Sequence, residues 1–155
     1  MIDSKIEAKA NELGLTVRQY ANAQWPFTCA VQTGNLLFVS GHTPTIEGVA
    51  QYHGITGDSV DLETAQKAAM LCLENCLGAM KSVLGNLDRV AKIVKVNGFI
   101  ASAPGFDKQA PVMNSVSEAL VKIFGEKHAR AALGVAMLPG NVPVEIELVA
   151  EVRNA

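Results

Sequence analysis

A single arginine, Arg130, stands just before an apolar run and is the first candidate for binding chemistry. The run from His128 to Val135 contains few other charged residues that could neutralise it. A guanidinium held at the end of a strand presents a planar fork of N–H donors that matches a carboxylate in bidentate geometry. Arg130 therefore has the chemistry of a carboxylate anchor. An ordinary ion pair, for example with Glu126, is the alternative that the residues alone leave open.

Two glutamates lie two positions apart near the end of the chain. From Val142 to Val152 every second residue is apolar, and three of the residues between them are glutamates. This alternation predicts a strand with one apolar and one acidic face, on which Glu145 and Glu147 point to the same side. A carboxylate beside an apolar subunit junction can have a raised pKa and act in proton transfer. A solvated strand face would explain the same spacing without chemistry.

The common cofactor and metal motifs do not occur in the sequence. It has no P-loop, no G-x-G-x-x-G after a strand, no H-E-x-x-H and no C-x-x-C. The three cysteines are an odd number, and Cys72 and Cys76 fall on the apolar stripe of a predicted helix, which indicates buried thiols. A zinc site with His42 or His53 would lack a second matching pair. We expect no metal and no cofactor.

Charge and hydropathy restrict the classes of partner. The 155 residues include 13 Lys and Arg against 15 Asp and Glu, for a formal net charge of −2. No large basic field could attract nucleic acid. No stretch approaches the ~20 apolar residues that cross a bilayer, and the N-terminus lacks a signal pattern, so we expect a cytoplasmic protein with no membrane partner. Apolar residues make up 49% and charged residues only 18%, which indicates that another copy covers part of the surface.

Apolar periodicity predicts three helices that could position these groups. Residues 4–13 have helical spacing behind Ser4, a potential N-cap. The segment Asp61–Leu84 carries a long apolar stripe, and Ala110–Phe124 carries a second one that ends at Gly125. The last two are long enough to cover one face of a sheet.

The strands are predicted by β-branched and alternating apolar residues. They are Phe27–Gln32, Leu36–Ser40, Val90–Ile100, Ala131–Leu138 and Val142–Val152. We expect the first two to form a hairpin, the third to be bulged near Gly98, and the last two to be antiparallel neighbours joined by a turn at Pro139. Residues 41–60 show no sustained period and read as a surface connection.

This order of elements predicts an α+β domain, a mixed sheet with two long helices packed on one face. We expect one domain over residues 1–155, with residues 1–20 as an N-terminal helical extension. Other copies would then cover the opposite face of the sheet. Clefts between subunits would be natural ligand sites.

The C-terminal third resembles the signature of the YjgF/Rid family. From Ala129 to Pro139 it combines an Arg after a small residue with an apolar strand that ends in Leu-Pro, and Val144-Glu145-Ile146-Glu147 follows at the family's spacing. The run from Leu36 to Pro44 looks like the family's Ser-Gly-x-x-Pro strand end, and Asn114 matches an Asn in the second helix. The resemblance covers residues from about 26 to 152.

The resemblance implies a chorismate-mutase-like α+β fold and a homotrimer with three clefts between subunits. It also implies hydrolysis of 2-imino or enamine acids to 2-keto acids and ammonia, so the ligand would be a small carboxylate-bearing imine or keto acid. By carry-over, Arg130 would bind the carboxylate and Glu145 would help to position water. Gly41 would lend backbone contacts, while Asn114 and Phe27 would line the cleft.

Three positions depart from the family's pattern. Phe27 stands where many deaminases have Tyr and so lacks a hydroxyl. Ala132 replaces a Cys, and His128 replaces a frequent Pro. The N-terminal helix and the connection over residues 41–60 are also longer than usual. These departures place the chain in a divergent branch.

Two other functions fit the same resemblance. One is an endoribonuclease of the L-PSP type that inhibits translation, although neither a basic stripe nor an aromatic platform is evident. The other is a non-catalytic module whose cleft binds a small carboxylate as a regulatory signal. The missing hydroxyl at Phe27 supports this second alternative.

Overall fold

A five-stranded sheet and two long helices form the two layers of the molecule. The computed structural model describes residues 4–20 and 25–154. The helices in this part of the chain are α1 (Lys5–Glu12), α2 (Leu62–Leu84) and α3 (Gln109–Phe124). The strands there are β1 (Ala30–Thr33), β2 (Leu36–His42), β3 (Thr45–Ile46), β4 (Val49–Ala50), β5 (Val90–Ala101), β6 (Ala129–Val135) and β7 (Val144–Val152).

The sheet is mixed, with strand order β1-β2-β7-β5-β6. β5 and β6 run parallel and are connected through α3, whereas the other neighbours are antiparallel. α2 packs over β2 and β7, and α3 packs over β5 and β6. The α+β architecture predicted from the sequence is confirmed. The connection over residues 41–60 contains the end of β2 and the separate two-stranded ribbon of β3 and β4.

The core lies between the helices and one face of the sheet. The apolar stripe of α2 is fully buried there, for example at Leu73 and Leu77, against the alternate residues of β7 such as Ile146. The carboxylate of Asp61 caps α2 by accepting a hydrogen bond from the backbone N–H of Thr64 at 2.8 Å. In the described ranges, no helix combines the length and the hydropathy that a membrane crossing needs.

The predicted hairpin of the last two strands is wrong. The sequence analysis made Ala131–Leu138 and Val142–Val152 antiparallel neighbours, but β5 lies between β6 and β7 in the sheet. β6 also ends at Val135, and a short 3-10 turn at Pro139–Asn141 carries the chain to the far side of β5. A Pro-Gly turn shows that the chain changes direction, but it does not decide which strand the next one joins.

The predicted bulge near Gly98 is also wrong. Gly98 pairs regularly with Ile146 on one side and Ala132 on the other, and the register shifts of β5 lie nearer its start. A Cβ at position 98 would lie 2.3 Å from Sδ of Met113. The glycine is therefore required because α3 packs so closely on the sheet.

The N-terminal segment, residues 4–20, crosses the outer surface of the helical layer. Asp88 holds the start of α1, because its carboxylate accepts hydrogen bonds from the N–H of Ile6 at 2.9 Å and the hydroxyl of Ser4 at 2.8 Å. These hydrogen bonds, led by the one from Ile6, keep the pKa of Asp88 below its usual value. Further along, Glu74 of α2 accepts from the N–H of Thr16 at 3.0 Å and pairs with Arg18.

Gly78→Ala tests how tightly this segment binds α2. A Cβ at position 78 would lie 2.1 Å from the backbone oxygen of Arg18, so the segment must move away. In an unencumbered helix the same change stabilises by about 1 kcal/mol. We therefore expect a lower Tm and faster proteolytic cleavage between residues 13 and 20.

Glu74→Gln is the companion variant, since it weakens the contacts of the segment without a steric clash. It should increase cleavage at the same sites with a smaller change in Tm. A Gly78→Ala protein that is more stable than the parent and equally resistant to protease would contradict this interpretation.

Candidate functional site

Arg130 lies on the edge strand β6 with its side chain against α3. Its Nη1 donates hydrogen bonds to Oδ1 of Asn114 at 2.8 Å and to Oγ of Ser117 at 3.2 Å. The alternative of an ion pair with Glu126 is wrong, because the ion pairs among the described residues do not include Arg130. Nε and Nη2 of Arg130 donate to no acceptor among the described residues. One edge of the guanidinium fork is therefore available to a carboxylate.

A groove of about 460 Å³ opens beside the guanidinium. Its lining residues come from α3, from the turn after it and from the start of β6, and they are Ser117, Glu118, Val121, Lys122, Lys127, His128 and Arg130. His128 reaches back to α3, with Nε2 at 2.9 Å from Oγ of Ser117. Burial, and then the charge of Arg130, lower the pKa of His128.

Glu145 and Gly41 form a second group of candidate residues. A Cβ at position 41 would lie 2.8 Å from Oε1 of Glu145, so the glycine lets the carboxylate lie close against β2 without a shift of its side chain. Burial, and then the negative charge of Glu147, raise the pKa of Glu145. Glu147 itself accepts a hydrogen bond from Nδ2 of Asn97 at 3.1 Å. Glu145 is thus a carboxyl group that can hold a proton more readily than a solvated one.

Phe27 precedes β1, the strand that pairs with β2, and is exposed. Its ring is 61% accessible and stacks on Trp25, with centroids 6.5 Å apart. The hydroxyl of Ser40, next to Gly41, donates to the carbonyl of Thr28 at 2.6 Å and ties the two segments together. This hydrogen bond holds Thr28, the residue after Phe27, beside the end of β2.

The two groups lie on opposite faces of the sheet. Phe99 of β5 pairs with Glu145 on one side and with Leu133 on the other, so these three side chains share a face. Side chains along a strand alternate between its two faces, and Arg130 and Leu133 are three residues apart on β6. Arg130 therefore points to the other face, where α3 lies. Within one chain the structure brings Arg130 to Asn114 and Glu145 to Gly41, but it does not bring the two pairs together.

The face that carries Glu145 combines the carboxylates of β7 with a row of apolar side chains. Val31 pairs with Phe38, and Phe38 pairs with Val149, so large apolar side chains form a row across β1, β2 and β7. Phe38 is 46% exposed, and Leu133 at the other edge is 50% exposed. Exposed apolar rows of this extent are typical of protein interaction surfaces.

The cysteines belong to the core, as the sequence analysis predicted. All three are free and buried. The thiols of Cys72 and Cys76 lie 3.5 Å and 3.6 Å from the carbonyl oxygens of Val144 and Ile146, and burial raises the pKa of both. Over residues 4–20 and 25–154, no group of three or more His, Cys, Asp or Glu could hold a metal ion.

Sequence reasoning missed three residues of these groups. Ser117 follows Asn114 by three positions on α3, which is the spacing of one helix face, and that signal could have identified it. The contact of His128 with Ser117 and the stacking of Trp25 on Phe27 depend on how loops meet the helices. Nothing in the spacing of the residues indicates either contact.

Comparison with known proteins decides the family. The family described as endoribonuclease L-PSP matches residues 18–152. The chain belongs to this family. The resemblance to the YjgF/Rid proteins inferred from the signature residues is thereby confirmed.

Several relatives match this chain over nearly its whole length. The protein TCP17 of Trypanosoma cruzi is 34% identical over 97% of this chain and 96% of its own. The solved structure of Atu1372 from Agrobacterium tumefaciens, a protein of unknown function, is 39% identical with a TM-score of 0.88, covering 96% of this chain and 94% of that one. TdcF of E. coli, solved with bound serine, is 26% identical with a TM-score of 0.61, covering 90% and 96%.

Glu147→Gln tests the electrostatics of the acidic face. Removing the neighbouring negative charge should lower the pKa of Glu145, because less repulsion opposes its ionisation. An NMR titration of the side-chain carboxyl carbons measures this directly. Glu151→Gln is the matched control. Glu151 lies on β7 like Glu147, but its carboxylate faces Lys92 of β5 at 3.9 Å, so this change should leave the pKa of Glu145 unaffected. If Glu145 titrates identically in the parent and in Glu147→Gln, the coupling is absent.

Proposed function

We propose that the protein is a hydrolytic deaminase that converts 2-imino and enamine acids to 2-keto acids and ammonia, with its sites between the subunits of a homotrimer. The observation that carries the proposal is the unpaired Nε and Nη2 edge of Arg130, which Asn114 and Ser117 hold in place beside a groove. A fork of donors with this geometry matches a carboxylate better than any other small anion except phosphate. The bound serine in the related TdcF supports an amino-acid-like ligand.

The division of the candidate residues supports a shared site. Arg130 and Asn114 lie on one face of the sheet, and Gly41 and Glu145 lie towards the other. A second copy that packs against the edge strand β6 could bring its own Glu145 group to face Arg130. The exposed apolar row across the sheet gives such a contact a hydrophobic area to bury.

The residues supply what the reaction needs. An imine is already electrophilic, so hydrolysis requires orientation, a placed water and proton transfer, and no metal or redox cofactor is required. Arg130 fixes the carboxylate and therefore the position of the C=N carbon. Glu145, with its raised pKa, can orient the water and exchange a proton with it or with the leaving nitrogen.

Two alternatives remain as outcomes of the tests. A non-catalytic carboxylate-binding module is favoured by Phe27, because the ring offers no hydroxyl to substrate or water. In that case 2-keto acids would raise the Tm while freshly generated imino acids release no ammonia faster than in buffer. An endoribonuclease, after the family's description, would instead cleave single-stranded RNA in a manner that Arg130→Ala abolishes.

Arg130→Ala should abolish imine hydrolysis, while the protein keeps its fold and assembly. Loss of a charged contact in a desolvated cleft costs several kcal/mol, so we expect kcat/KM to fall by about a hundredfold or more. An amino-acid oxidase supplies the imines in situ, and ammonia release or semicarbazone trapping measures the rate.

Arg130→Lys is the matched control for this substitution. It keeps the positive charge but loses the planar fork, so it should recover only part of the activity. Near-normal deamination by Arg130→Ala would refute the role of this residue.

Mixed assemblies test the shared site. Arg130→Ala and Glu145→Gln should each be inactive alone. When the two are co-expressed with different tags and purified together, a site that joins Arg130 of one copy with Glu145 of another is intact in up to about a quarter of the interfaces, so partial activity should return. An inactive mixture, with size-exclusion data that show mixed oligomers, would mean that each site lies within one chain.

A further inference from the structure

Three side chains form a hydrogen-bonded relay behind the ligand-facing edge of Arg130. Nη1 of Arg130 lies 3.2 Å from Oγ of Ser117, and the same oxygen lies 2.9 Å from Nε2 of His128. A guanidinium can only donate, so the Ser117 oxygen accepts from Arg130. The hydroxyl hydrogen of Ser117 is then free to donate to the lone pair of Nε2, which requires a neutral imidazole.

The surroundings of His128 favour the neutral ring. Its Nδ1 is buried and has no hydrogen-bond partner among the described residues. The neutral ring that accepts at Nε2 also carries its hydrogen on Nδ1, but an imidazolium would place a charged donor there, and an unpaired buried charge costs more than an unpaired neutral N–H. Burial and the charge of Arg130 lower the pKa of His128 from its ordinary value of 6.5, in the same direction.

The charges that face His128 add to this preference. They come from α3, from the turn that follows it and from β6, and they are Glu118, Lys122, Lys127 and Arg130. Three of the four are cations, so protonation of His128 would add a fourth positive charge to a groove with one carboxylate. The imidazolium would also donate to Oγ of Ser117, so that two cations would be held at one hydroxyl oxygen and repel each other.

We propose that His128 and Ser117 are positioning residues that hold the guanidinium of Arg130 for its ligand, and that protonation of His128 releases it. The carboxylate ligand rests on the proposed function, whereas the relay itself rests on the geometry of the free protein. The YjgF/Rid family frequently has proline at the position of His128. The proline ring carries no side-chain donor or acceptor that could join such a relay. The device therefore belongs to chains that carry His at this position together with Ser117.

The sign of the pH dependence follows from the neutral ring. Above the pKa of His128 the relay is complete, and the affinity for a carboxylate is at its highest. As the pH falls through that pKa, below 6.5, the relay opens and the affinity declines. A loss of affinity caused by protonation of the ligand would begin at far lower pH, because 2-keto acids are stronger acids than His128.

The first measurement needs no ligand. In the parent protein at neutral pH, NMR should resolve separate Nη resonances for Arg130, because a guanidinium held by two acceptors rotates slowly. Ser117→Ala should speed this rotation, and so should lowering the pH of the parent protein. Ser115→Ala is the matched control on α3, since within the described residues the hydroxyl of Ser115 bonds only to the carbonyl of Val112 at 2.9 Å. Unchanged rotation in Ser117→Ala would overturn the proposal.

The second measurement is the affinity for 2-oxobutyrate by calorimetry, over roughly pH 5 to 8. Ser117→Ala and His128→Ala should weaken binding by roughly three- to tenfold at neutral pH, the usual effect of one lost hydrogen bond. His128→Gln offers an amide oxygen near the place of Nε2 and does not titrate. It should keep the affinity of the parent at neutral pH and lose the pH dependence.

The outcomes separate this inference from the proposed function. If His128→Gln retains the parent's pH dependence, the relay does not control binding and the inference is wrong. If the relay is seen by NMR but the parent neither binds 2-oxobutyrate nor releases ammonia from imines, the positioning role stands and the deaminase proposal fails. A parent that releases ammonia while Ser117→Ala binds 2-oxobutyrate like the parent would retain the deaminase and overturn the relay.

Discussion

The close packing of α3 on β5 is the contact on which the Arg130 site depends. At Gly98 the sheet offers no side chain, and Met113 of α3 fills the space where a Cβ would lie. Asn114 and Ser117 follow Met113 by one and four residues, so this packing brings their oxygens within hydrogen-bond distance of Arg130. A Cβ at position 98 would meet the side chain of Met113, which would have to shift in this packed contact. The position of the Arg130 guanidinium on β6 thus depends on the contact between α3 and the neighbouring strand β5.

The parallel pairing of β5 with β6 has an equally strong effect. Because α3 returns the chain to the outer side of β5, β6 becomes the edge of the sheet and Arg130 stands at a border of the molecule. Glu145 lies two strands inwards on the opposite face, which is crossed by a row of exposed apolar side chains. A single chain therefore keeps the two groups of candidate residues apart, each held by its own neighbours. This separation is the physical basis for expecting assembly.

Sequence reasoning succeeded where a short-range pattern carries the information. The stripe on α2 and the alternation of β7 follow from helix and strand periods, and the signature around Arg130 was sufficient to identify the family. It failed where the answer depends on contacts between distant elements. The turn at Pro139 did not reveal that β5 separates β6 from β7, and Gly98 read as a bulge because its spatial neighbour is Met113. The trimer stays a prediction, since it concerns contacts between chains.

The thiols of the protein are confined to its interior. Cys29, Cys72 and Cys76 are buried, and position 132, close to Arg130 along β6, is occupied by alanine. Burial keeps Cys72 and Cys76 in the thiol form, which is a poor nucleophile compared with the thiolate. Electrophiles and mild oxidants therefore find no reactive sulfur beside the guanidinium. The groove beside Arg130 should therefore escape thiol alkylation by reactive carbonyl compounds, which would modify a protein with an exposed thiolate at that place.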